Sequence, residues 1–202
     1  MKVKVPFADL RVQDESEREA LHNALADVMS HGRFILGPEV TDLEQKIATL
    51  CNRKFGVGVS SGTSAIVLAL RALAIEPGDS VVTSAISWLA SGTSIALAGA
   101  NPIFADVQTD FNIDPRSLEQ VIKPNCRAIL PVNYGGKICD FGKILKIADA
   151  GGIPVIEDAS QSIGAIKDGR PAGSFGKISV ISLNPMKVLG ALGEAGIILT
   201  DD

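Results

Sequence analysis

The sequence predicts an α/β chain with a mostly parallel sheet flanked by helices. From Phe55 onward, short apolar runs alternate with helical stretches, the rhythm of strand-helix units with helices on both faces of a sheet. Hydrophobic residues make up 46% and charged residues 21% of the 202, the balance of a globular chain able to bury a full core in one large or two small domains. No apolar run approaches roughly 18 residues, so no membrane-spanning helix is expected.

The elements follow in chain order. Val3 to Asp9 reads as a short extended lead. Asp14 to Ser30 carries apolar residues at Ala20, Leu21, Ala24, Leu25 and Val28, the spacing of an amphipathic helix whose stripe needs a cover. Glycines and a proline in Gly32-Arg-Phe-Ile-Leu-Gly-Pro38 interrupt the pattern, and Glu39 to Leu50 resumes it as a second helix. Strands are then expected at 57–60, 80–83, 102–105, 128–132 and 154–156, and helices at 65–73, 90–98, 115–122 and 141–150. A later strand-like run ends at Ser182, and glycines at 190, 193 and 196 turn the chain into a last strand, Ile197–Thr200. In sheets of this kind ligands gather outside the carboxyl ends of the strands.

A net charge of −4 offers no basic stripe for nucleic acid and no cluster for a membrane surface, which leaves small molecules or other protein chains as partners. Cys51, Cys126 and Cys139 lack CxxC spacing and read as reduced core thiols. His22 and His31 form no metal-ligand pattern. With no charged and apolar leader at the start, the expected compartment is the cytoplasm.

Four segments carry chemistry. Ser60-Ser-Gly-Thr-Ser64 follows a strand and opens a helix; small residues let the backbone approach a ligand, and the helix start aims free amides at a phosphate, with Gly62 and Thr63 as the contacts. A serine-rich helix cap accounts for the same letters. GxGxxG and GxxxxGK[ST] are both absent, which disfavours a nicotinamide-dependent oxidoreductase and a P-loop. Trp88, the only tryptophan, sits beyond the second strand of the alternation, either as a plate for a planar ring or as core filling. Asp158 ends an apolar strand, with Gln161 three residues on; Ser182 precedes Lys187 by five. Singly, an Asp there is a turn former and a Lys after Pro-Met a solvated cation. Together they supply what pyridoxal phosphate requires: an acid for the ring nitrogen, a donor for the phosphate and an amine for the aldehyde.

Val155-Ile-Glu-Asp-Ala-Ser-Gln-Ser and Ile181-Ser-Leu-Asn-Pro-Met-Lys-Val-Leu-Gly resemble the matching segments of the DegT/DnrJ/EryC1/StrS sugar aminotransferases, and the likeness runs from about Pro6 to the last residue. The resemblance implies a fold-type I PLP-dependent transferase large domain over 51–202, preceded by a helical segment and active-site loop over 1–50. It further implies that Trp88 stacks on the cofactor ring, Asp158 faces its nitrogen, Gln161 reaches its oxygen substituent, and Gly62, Thr63 and Ser182 hold the phosphate. Lys187 becomes the catalytic amine, and a lysine there rather than a histidine favours the aminotransferase branch over the related dehydratases. The implied activity moves an amino group from a donor such as glutamate to a keto-sugar nucleotide, in a homodimer with active sites at the interface. Two departures stand out: Asn133 occupies the place of a family histidine in a loop tied to substrate contacts, and the smaller C-terminal domain that family chains add is absent. A non-catalytic remnant or assembly module is the alternative.

Overall fold

A computed structural model describes residue 5 and residues 7–202, so the lead expected over Val3 to Asp9 lies partly outside the described residues. Two compact units are present, one reaching to Leu43 and one comprising Glu44–Asp202.

In the first unit, Asp14 caps α1 (Glu15–His31) by accepting the Glu17 amide, and Gly32 ends it in the left-handed conformation. The apolar stripe read from the sequence is real in spacing, yet no residue of α1 is buried. Pro38 opens α2 (Pro38–Leu50), as proline at a first helical position does.

The second unit holds β1 (Phe55–Val59), α3 (Gly62–Ala72), β2 (Ser80–Ser84), α4 (Ala90–Leu97), β3 (Asn101–Ala105), α5 (Pro115–Val121), β4 (Cys126–Leu130), α6 (Phe141–Ala150), β5 (Ile156–Asp158), the short hairpin β6 (Ile166–Lys167) and β7 (Arg170–Pro171), β8 (Ile178–Ser182) and β9 (Gly196–Thr200). Strand order is β1-β9-β8-β5 in one ladder and β3-β2-β4 in another. Parallel bridges Ile129 to Val155 and Val132 to Asp158 connect β4 to β5 and make the two ladders neighbours. Within these two ladders pairing is parallel except at β9, which is antiparallel to both β1 and β8, and the β6–β7 hairpin is antiparallel.

Both faces of the central strands are buried, as parallel sheets require. On one face Val81, Ala128, Leu130, Ile156 and Val180 pack with Ala65, Ile66, Ala69 and Leu70 of α3 and Ile95 of α4. The alternate residues Val82, Ile129 and Ile181 are equally buried, as are Phe141, Ile144 and Ala148 of α6. Phe141 stacks on Phe175 with centroids 4.7 Å apart. The three cysteines are free and buried, and burial, with the nearby Glu157 charge, pushes the Cys51 and Cys139 thiols up to about 12. No helix among the described residues is long and apolar enough to cross a membrane.

Candidate active site

The carboxyl ends of β1, β2, β5 and β8 open on a cavity of about 560 Å³. Every residue singled out from the sequence lines it: Gly62, Thr63, Trp88, Asp158, Gln161, Ser182 and Lys187. Ser87, Ser91, Ser160, Asn184 and Glu194, which sequence patterns did not mark, line it as well.

The first turn of α3 forms one wall. Ser61 is its cap, with Oγ accepting the Ser64 amide at 3.0 Å, so the plain capping role is real for that residue. The Gly62 and Thr63 amides, by contrast, make no hydrogen bond among the described residues and remain available to an anion. Glycine is required here by a close approach: a Cβ on Gly62 would stand 2.6 Å from the Ser182 Cβ, and one on Gly196 would stand 2.5 Å from the Ser61 carbonyl. The helix start is thus wedged between the end of β8 and the start of β9.

Trp88 is 74% exposed on the cavity wall, which rules out core filling. Asp158, at the end of β5, is buried, and burial raises its carboxyl above the usual range against the opposing pull of Ser160 hydrogen bonds and the Lys187 charge. Its Oδ1 accepts the Ser160 amide at 3.0 Å, so it shapes its own turn as well as facing the cavity. Gln161 Oε1 accepts the Gly135 amide at 2.9 Å; with the oxygen so engaged, the NH2 is the group left to donate. Lys187 rides on the connection between β8 and β9, closed at its base where Leu183 N donates to Ala195 O at 2.9 Å. Asn184 shapes this connection: its carbonyl accepts the Lys187 amide at 2.8 Å, its Oδ1 accepts the Met186 amide at 2.9 Å, and its Nδ2 donates to Glu194.

Behind the cavity lies a buried polar hub. Glu157 is fully buried and accepts from Asn133 Nδ2 at 2.9 Å, the Gly173 and Phe175 amides at 2.8 Å each, and Ser179 Oγ at 3.1 Å. Asn133 also donates to Ser162 Oγ at 3.1 Å and accepts the Cys139 amide at 3.0 Å. The Asn133 side chain, which stands in place of the family histidine, is thus buried, occupied on both ends and outside the cavity lining.

An α/β sheet with an amine, a buried acid, an aromatic plate and free helix-start amides around one cavity presents the groups that pyridoxal phosphate requires. Residues 15–202 match the model of the DegT/DnrJ/EryC1/StrS aminotransferase family, and the chain belongs to that family. It is 38% identical over 199 residues to a UDP-2-acetamido-2-deoxy-3-oxo-D-glucuronate aminotransferase of Pseudomonas aeruginosa, covering 98% of this chain and 55% of that protein. It is 37% identical to a dTDP-3-amino-3,4,6-trideoxy-alpha-D-glucose transaminase of Streptomyces venezuelae, covering 98% and 53%. Among solved structures, S. venezuelae DesV superposes with a TM-score of 0.94 at 38% identity, covering 98% of this chain and 54% of that one. Bacillus subtilis NtdA, solved with bound cofactor PMP, gives 0.92 at 37% identity, covering 98% and 45%. The chain spans about half the length of the curated relatives it matches.

Proposed function

We propose that this chain holds pyridoxal 5′-phosphate and forms the cofactor-binding part of an aminotransferase that moves an amino group from an amino acid, glutamate for preference, to a keto-sugar nucleotide in amino-sugar, surface-polysaccharide or antibiotic-sugar biosynthesis. The observation that carries this is the convergence of Asp158, Gln161, Ser182, Lys187 and the α3 amides on one cavity. The residues fit the group: the two free amides and the Ser182 hydroxyl suit a dianion, Gly62 leaves the room a Cβ would fill, and a buried carboxylate suits a cationic ring nitrogen.

When bound, pyridoxal phosphate supplies an electron sink that acidifies the carbon-bound proton of an amino acid. The chain supplies the rest. Trp88 fixes the plane of the ring by apolar contact. Asp158 holds a proton at the ring nitrogen, and Gln161 donates its NH2 to the ring oxygen. Lys187 would be the amine that holds the aldehyde, and its Nζ would take and return the carbon-bound proton of the substrate. Glu194, in the same cavity, is a second carboxylate available for substrate contacts.

Exposed Trp88, Leu89, Met186, Val188 and Leu192 give the surroundings of the cavity an apolar surface, which supports a second copy of the chain there, as a homodimer. The test is borohydride reduction with pyridoxal phosphate followed by peptide mass mapping. A stoichiometric adduct on Lys187, lost in Lys187→Ala, is expected. A folded protein that yields no specific adduct refutes the proposal.

A further inference from the structure

Resting on the cofactor assignment above, one further residue acquires a role. We infer that Ser160 is a positioning residue that ties the Asp158 carboxylate to the Ser182 end of β8, so that the acid for the ring and the hydroxyl for the phosphate keep a fixed separation.

The geometry is that of a hinge pin. Strands β5 and β8 pair as far as Asp158 with Val180, followed by one further bond from the Ala159 amide to the Val180 carbonyl at 2.9 Å. β5 then leaves the ladder. The next link between the two strands is made by a side chain: the Ser182 amide donates to Ser160 Oγ at 3.0 Å. In the other direction the Ser160 amide donates to Asp158 Oδ1 at 3.0 Å. A hydroxyl that accepts from an amide still has its own proton to give. Ser160 is only 7% exposed and lines the cavity between the two groups it holds.

An alanine at 160 therefore does two things at once. It leaves the buried Ser182 amide without an acceptor, loosening the phosphate end. It also removes a hydroxyl that helps keep the Asp158 proton affinity down. With the cofactor bound, a proton between Asp158 and the ring nitrogen would lie nearer the carboxylate, the ring would draw electrons less strongly, and Lys187 Nζ would keep its proton to higher pH. Lys187 and Glu194 are the charged side chains that share the cavity with Asp158; Glu157, its neighbour in β5, faces the buried hub on the opposite side. The substitution leaves all three in place.

The experiment compares the full chain with Ser160→Ala and Ser182→Ala, reading pyridoxal-phosphate affinity and the pH midpoint of the bound cofactor's visible band, with the melting of the unliganded forms as a folding control. Ser160→Ala is expected to lower affinity about tenfold and to move the midpoint upward. Ser182→Ala, which removes the phosphate hydroxyl but keeps the backbone amide, is expected to lower affinity and leave the midpoint in place. Should the alanine variant fail to fold, Ser160→Cys, close in shape but a weak acceptor, gives the same pair of changes in smaller measure. A Ser160 variant that folds, binds more weakly and titrates like the parent overturns the coupling while the cofactor assignment stands. A parent chain that captures no cofactor on Lys187 removes that assignment and this inference with it.

Discussion

Gly62→Ala isolates the contribution of the close approach between α3 and β8. The added Cβ would stand 2.6 Å from Ser182 Cβ, 3.0 Å from its Oγ and 3.1 Å from its Cα. Relaxed carbon contacts lie at roughly 3.5 to 4 Å, so the first turn of α3 and the end of β8 must part by about 1 Å. Neither side yields easily. Ser182 is held by its ladder with Gly196 and by Ser160 Oγ, and the helix start is blocked from behind by the tight passage at Gly196. Overpacking of this kind costs about 1 to 3 kcal/mol. In the unliganded chain the higher helix propensity of alanine returns at most about 1 kcal/mol, which leaves a net loss of up to about 2 kcal/mol. No such return exists for the ligand, because a shift of about 1 Å carries the Gly62 and Thr63 amides out of hydrogen-bond range of a phosphate. The expected signature is a stability loss of no more than about 2 kcal/mol with pyridoxal-phosphate affinity reduced roughly 5- to 150-fold. Urea unfolding and an absorbance titration measure the two. A variant that unfolds like the parent and binds the cofactor within about twofold of it would show that these amides do not hold the phosphate.

Two further substitutions separate the cofactor face of β5 from its structural face. The Asp158 carboxyl is raised by burial, so its neutral form is favoured in the fold and its ionised form costs stability as pH rises past the ordinary carboxylate range. Asp158→Asn is accordingly expected to melt higher than the parent without cofactor near neutral pH, with the gain vanishing in acid where both side chains are neutral, and to bind pyridoxal phosphate weakly; a lower melting point at neutral pH refutes this. Glu157→Ala strands the donors of Asn133, Gly173, Phe175 and Ser179 in a fully buried site, and a loss of about 3 kcal/mol or more in urea unfolding is expected, whereas a loss under about 1 kcal/mol would mean that the hub rearranges freely.

The strands and helices were legible because their periodicities are local. Most observed boundaries fall within a few residues of those read from the sequence, and the departures have physical causes. The apolar run read over 154–156, with Asp158 closing the strand, is observed two residues later as β5, Ile156–Asp158, because pairing with β8 fixes which residues join the ladder. The hairpin of β6 and β7 has two residues in each arm, too short for any alternation to register. α1 was read correctly as a helix, but periodicity reports a stripe and not what covers it.

Within the site, the legible residues were those whose chemistry is unusual where they stand: an acid closing an apolar strand, a lysine after a second one, a lone tryptophan. Ser160, and the buried bonding of Asn133 behind the cavity, escaped because the partners lie 22 to 29 residues away, at Ser182, Glu157 and Ser162, and nothing local distinguishes the two residues from turn formers. One signal for the hub was present all the same. Successive residues of a strand point to opposite faces, so two carboxylates in a row in a strand buried on both sides cannot serve one site. Asp158 facing the cavity obliges Glu157 to find donors on the other face, and the tight Gly173–Phe175 turn that supplies two amides is the consequence. The same alternation makes the two roles separable by mutation: removing the charge at 158 should relieve the fold and impair cofactor binding, while truncating 157 should first weaken the fold.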